Sequence, residues 1–162
     1  MKQDMVGLLS MSDDIWEQSI LPSLSNFIEI KALSPLFEPD WDKLGELDAT
    51  IDLFCEWVER QELDGLTYSV HRIEDRSPVL LITVEGTGPG EVVFYSHLDK
   101  QPSKPELWSE GLGPLIAVRR GPWLFGRGSI DDGYGGYLCV ACLLYTSPSP
   151  RDATLSRMPS SA

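Results

Sequence analysis

Apolar side chains recur three or four positions apart at Ile15, Trp16, Ile20, Leu24, Phe27 and Ile28, which predicts an amphipathic helix over about 13–30. Ser12 is its expected N-cap, and Pro22 its expected interruption. A second stripe, Leu44, Leu47, Ile51, Phe54, Trp57 and Val58, predicts a helix over about 43–61. Stripes like these belong to core packing, and Cys55 inside the second one reads as a small core hydrophobe. The period then changes from helical to alternating. Strands are predicted near 67–73, 78–85 and 91–96, then a hairpin near 115–125 and a helix from about 133. The run Glu91 to Ser96 follows a Gly/Pro turn at Gly86 to Gly90 and is rich in β-branched and aromatic residues, so a buried strand is expected there. Two helices, then strands, then a helix predict an α/β layered domain. No internal repeat is visible.

The candidate chemistry lies at the end of that third strand. His97 and Asp99 stand two residues apart on an extended chain and project to one side. The C-terminal ends of strands are where open α/β sheets place their ligands. An imidazole there can bind Zn²⁺ through one nitrogen while a nearby carboxylate fixes its tautomer. A second motif, Gly126-Arg127-Gly128-Ser129-Ile130-Asp131-Asp132-Gly133, follows the predicted hairpin. Its glycines allow close backbone approach around an aspartate pair, and one carboxylate suits two cations roughly 3.5–4 Å apart. Each motif alone has an ordinary explanation, a hydrogen-bonded pair in one case and a turn in the other. A phosphate-binding loop at 126–136 is disfavoured because the GxxxxGK[ST] lysine and hydroxyl are missing. His71, in the alternating run 66–73, reads as a strand-surface residue.

In this order the motifs resemble the zinc metallopeptidase family of carnosinase-type dipeptidases, aminoacylases, glutamate carboxypeptidases, and acetylornithine and succinyl-diaminopimelate deacylases. The resemblance rests on Ser96-His97-Leu98-Asp99, Trp108 and Leu124 to Asp132, and reaches more loosely upstream through Ile28 to Pro35. It implies His97 as a ligand of one zinc, Asp131 as a bridge between two, and Asp99 as the catalytic-site residue that orients His97. It also implies a cis peptide at Asp131-Asp132. The implied fold is an incomplete three-layer α/β/α catalytic domain, truncated after the second metal motif. The implied cofactor is a pair of Zn²⁺ ions, with Co²⁺ or Mn²⁺ as substitutes. The implied substrate is a small peptide or N-acyl amino acid, cleaved at an amide next to a free carboxylate, and the intact parent would form a homodimer.

Where many members continue Asp-Asp-Lys-Gly, this chain has Asp131-Asp132-Gly133-Tyr134, so substrate preference does not transfer. The family's general-base glutamate and remaining ligands lie downstream of the second motif. Here the sole acidic residue after Asp132 is Asp152, and the chain's two histidines are His71 and His97. Residues 142–162, from Cys142 through Pro148 and Pro150 to Ala162, resemble translated sequencing adapter. The expected division is therefore 1–141 as the N-terminal part of a catalytic domain and 142–162 as a non-native tail. Cys139 and Cys142 make a CxxC spacing that this division renders accidental. The alternative expectation is that the chain as written is an inactive fragment with an incomplete metal site. A formal charge of −12 disfavours nucleic acid or an anionic membrane as partner. With no signal-peptide pattern and no apolar run near the roughly 20 residues a spanning helix needs, the cytoplasm is the default expectation.

Overall fold

Ile20, Leu24, Phe27 and Ile28 are buried, as their spacing predicts, but the helix that carries them starts well before Ser12. The computed structural model describes residues 5–86 and 88–146. Within them α1 (Met5–Ile15) runs into a π-helical turn at Trp16–Ile20 and on into α2 (Leu21–Glu29). Ser12 is thus an interior helical residue and not an N-cap, because the chain before it is already helical. Pro22 does not end the helix either. A proline lacks the N–H and crowds the carbonyl four residues back. The wider π turn just ahead of it, closed by Leu21 N–H donating to the Trp16 carbonyl, relieves that conflict.

The predicted helix over 43–61 is two helices, α3 (Trp41–Leu44) and α4 (Glu46–Glu59). Gly45 separates them in the left-handed region at φ 68°, a conformation that ends a helix cheaply only in glycine. Leu44 is consequently exposed, while Leu47, Ile51, Phe54, Cys55, Trp57 and Val58 are buried on α4. α5 (Gly133–Thr146) closes the core with Tyr137, Val140 and Ala141. It runs through Ala141 to Thr146 without a break; Pro148, Pro150 and the rest of the expected tail lie outside the described residues. Tyr137 meets Phe54 and Trp57 edge-on, with ring centroids 5.0 and 4.7 Å apart. Such contacts add about 1 kcal/mol each to the burial of the rings. The polar tips are satisfied: Trp57 Nε1–H donates to Ser19 Oγ at 2.9 Å, and the Ser23 and Tyr137 hydroxyls share a 2.8 Å hydrogen bond.

Strands β1 (Leu66–His71) and β2 (Val79–Val84) pair antiparallel from Leu66 opposite Val84 to His71 opposite Val79. Leu66, Leu80 and Ile82 pack against the helical core. His71 is exposed on β1, with Nε2 2.9 Å from Ser69 Oγ, as its place in the alternation predicts. The predicted hairpin at 115–125 forms over β3 (Val118–Arg120) and β4 (Trp123–Phe125). Arg119 ties it to the helical layer by a two-pronged ion pair with Glu17.

The prediction of a buried strand at 91–96 is overturned. That segment belongs to no ladder, and Val93 and Tyr95 are 87% and 81% exposed. β-Rich composition expresses a preference for a pleated surface, but a strand exists only where another lies beside it. Here β1 and β2 take each other as partners, as do β3 and β4. Ladder contact resumes at a single parallel bridge between Leu33 and Lys100. The described residues are thus mixed helix and sheet, with two small antiparallel sheets against a helical core. No helix among them is long and apolar enough to cross a membrane.

Candidate metal centre

Two glycines bring the second motif onto the end of α2. Gly126 and Gly128 have φ of +149° and +87°. A Cβ on Gly126 would fall 2.3 Å from Ile28 Cγ2, and one on Gly128 2.8 Å from Phe27 and 2.9 Å from the Lys100 stem. The loop therefore lies closer to α2 than any side chain would permit. From there it rises to Asp131 and Asp132, joined by the expected cis peptide bond, and enters α5. The Asp132 carbonyl accepts the Gly135 N–H at 2.7 Å in the first turn of α5.

The three predicted site residues come together. The His97 Nδ1 lies 3.1 Å from both the Asp99 carboxylate Oδ1 and the Asp99 carbonyl. In the tautomer whose Nδ1–H donates to Asp99 the lone pair is on Nε2, the atom that faces Asp131 Oδ1 at 3.6 Å. A tetrahedral ion with bonds of about 2.1 Å holds its donors roughly 3.4 Å apart, so this pair has the spacing of two ligands of one ion. The imidazole and the Asp99 side chain are one-third exposed and the Asp131 carboxylate about half. The donors are therefore accessible.

Three neighbours surround these residues, Asp132 and Arg127 from the second motif and Lys100, which sequence reasoning passed over. Asp132 Oδ2 accepts the His97 backbone N–H at 3.3 Å and so joins the two motifs directly. Arg127 donates from Nε to the Gln101 carbonyl and from Nη2 to Asp131 Oδ2, each at 3.1 Å. One Asp131 oxygen thus faces His97 while the other is held by a guanidinium. Lys100 is buried behind the site at 1% exposure. Burial pushes its ammonium down to about 8, with repulsion from Arg127 adding to that and Glu46 opposing it. A signal for Lys100 was present. If His97 and Asp99 face one side of an extended chain, Leu98 and Lys100 face the other, and Leu98 packs against the core.

Beside Asp131 a shallow cleft of about 260 Å³ is lined by Trp108, Leu124, Arg127 and Ile130. The donor chemistry suits a borderline divalent cation, with an imidazole and a carboxylate to bind it and a second carboxylate behind the ring. The set is short, however. No group of three or more His, Cys, Asp or Glu side chains able to hold a metal ion occurs among the described residues. No family model matches the chain, and no curated protein matches it either.

Proposed function

We propose that this chain carries the first half of a two-zinc amidohydrolase centre, with His97 and Asp131 as metal ligands and Asp99 as the residue that orients His97. The observation that supports this most directly is the imidazole flanked on both sides, by Asp99 at Nδ1 and by Asp131 Oδ1 at Nε2. Resemblance of the two motifs to the zinc metallopeptidases supplies the reaction class. The parent protein would then have the three-layer α/β/α fold of that family and cleave a dipeptide or an N-acyl amino acid next to its free carboxylate. When bound, the ions supply Lewis-acid polarisation of the scissile carbonyl and a nucleophilic water near neutral pH.

The chain's own residues prepare that site. Asp99 keeps the proton on Nδ1, so Nε2 presents a lone pair. Asp131 would be the carboxylate that holds metal beside it, with its Oδ2 accepting a hydrogen bond from Arg127. A catalytic zinc uses three protein ligands and a structural one four. The described pair therefore favours a second statement, that the 162-residue chain binds one ion weakly and does not turn substrate over.

Zinc titration against a competing chelator tests both statements. Expected is one-to-one binding that His97→Ala and Asp131→Ala each abolish, without hydrolysis across a dipeptide panel. Equal zinc affinity in the chain and both variants would refute the metal assignment. Hydrolysis lost on Asp131→Ala would refute the inactive-fragment statement.

A further inference from the structure

Lys100 lies where three parts of the molecule converge. Its Nζ donates to the carbonyls of Phe27 at 2.7 Å and Ile28 at 3.2 Å, and to that of Ile30. These are carbonyls at the C-terminus of α2, where a cation complements the helix dipole; the Phe27 carbonyl also accepts the Ile30 N–H at 3.2 Å. The same Nζ stands 4.2 Å from the centroid of the Phe27 ring. Its stem supports Gly128, whose missing Cβ would meet Lys100 Cε at 2.9 Å. Its backbone closes the parallel bridge, N–H to the Ala32 carbonyl at 2.8 Å and carbonyl to the Ser34 N–H at 2.9 Å.

One side chain thus contacts the end of α2 and the loop that leads to Asp131, and it grows from the residue next to Asp99. We infer that Lys100 is a positioning residue for the candidate metal pair, holding the His97–Asp99 segment and the Gly126–Asp131 loop against a common support. The metal part of this inference rests on the proposed function; the positioning part does not. A helix cap of purely local effect would stabilise α2 and leave the spacing between the two motifs alone.

Lys100→Met keeps the apolar stem and removes all three donors, and Lys100→Gln keeps two donors on a shorter stem. Val58→Ala, a loss of core packing on α4 away from the motifs, is the control for general destabilisation. The 162-residue chain and its variants are compared by amide hydrogen exchange without metal. Positioning predicts that the His97 N–H, which donates to Asp132 Oδ2, exchanges about tenfold faster in the Lys100 variants than in the control at matched global stability. It also predicts zinc binding weakened by about ten- to hundredfold, the usual cost of losing a residue that holds a ligand in place. Should Lys100→Met not fold, Lys100→Gln decides. Exchange at His97 equal to the control, with unchanged zinc affinity, overturns the inference. If the unmutated chain binds no zinc, the proposed function falls and the exchange result alone decides the role of Lys100.

Discussion

Removing the Asp99 carboxylate tests how the imidazole of His97 is held. Its Nδ1 has two acceptors at the same 3.1 Å, the Asp99 carboxylate and the Asp99 backbone carbonyl. Asp99→Ala deletes one and leaves the other, so the Nδ1–H tautomer and the Nε2 lone pair survive. What goes is the negative charge behind the ring. Partners of this kind cost about ten- to hundredfold in metal affinity when removed. With the backbone carbonyl retained and the carboxylate one-third exposed, the low end applies, about tenfold or 1.4 kcal/mol. Asp99→Asn keeps a side-chain acceptor and loses the same charge. If charge is the main contribution, Asn and Ala agree within about threefold. The assay is zinc titration against a fluorescent chelator at low ionic strength, with a one-dimensional proton spectrum confirming that each variant is folded. Added salt should narrow the gap to the unmutated chain, because the lost interaction is screened. A hundredfold loss in Asp99→Ala alongside unmutated affinity in Asp99→Asn would refute the reasoning. The carboxylate bond would then orient the ring, with the backbone carbonyl unable to substitute.

Two further predictions concern the support of the site. A Cβ on Gly133 would lie 2.2 Å from Phe27 Cε1 and 2.3 Å from the Gly128 carbonyl oxygen, and the backbone atom cannot swing aside. Gly133→Ala should therefore cost about 2–4 kcal/mol and lower the melting temperature by roughly 10 °C; an unchanged melt contradicts the close approach. Burial raises the Tyr137 phenol to about 12, against a smaller lowering by the Ser23 hydrogen bond. Its contribution to stability is thus complete below about pH 10 and lost as pH rises towards about 12. Near pH 11 the loss is about 1.4 kcal/mol relative to pH 8, read as a falling urea midpoint that Tyr137→Phe reduces by that amount. Identical alkaline slopes in the two chains contradict a buried phenol.

The helical stripes were legible because burial on a helix needs only the spacing of its own residues. Leu24, Phe27, Trp57 and Val58 are all at most 2% exposed. Boundaries were less legible. Leu44 fits the spacing of the second stripe, but Gly45 in the left-handed region turns it away from the core. The segment 91–96 failed for a different reason, since alternation and β-branching say nothing about which other segment lies alongside. At the site, His97 and Asp99 stood out by their two-residue spacing after an apolar run, and Asp131 as a carboxylate in a glycine-rich motif. Lys100 did not, because a lysine after a strand reads as solvent-facing, and recognising it required using the side taken by Leu98. Arg127 was visible within the motif, but its bond to Asp131 depends on the curl of the 126–131 loop.

The failed strand also shows what holds the half-site together. Were His97 and Asp99 positioned by a sheet, loss of the 91–96 ladder would leave them at the end of an exposed segment with nothing to fix their distance from Asp131. They are fixed nonetheless. Behind them Lys100 bonds to the end of α2, and beside them Asp132 at the start of α5 accepts the His97 N–H. Both helices are anchored in the core through Leu24 and Phe27 on one side and Tyr137 and Val140 on the other. The spacing of Nε2 and Oδ1 is thus carried by two helix ends packed on one core, with a single isolated bridge at Leu33 and Lys100 added. Rigid elements of this kind would lower the ordering cost of the proposed ion binding. The other Asp131 oxygen is held by Arg127, so the proposed binding of one ion does not draw on it. On this argument Arg127→Gln leaves one-to-one zinc binding nearly unchanged, and a large loss of affinity in a zinc titration contradicts it.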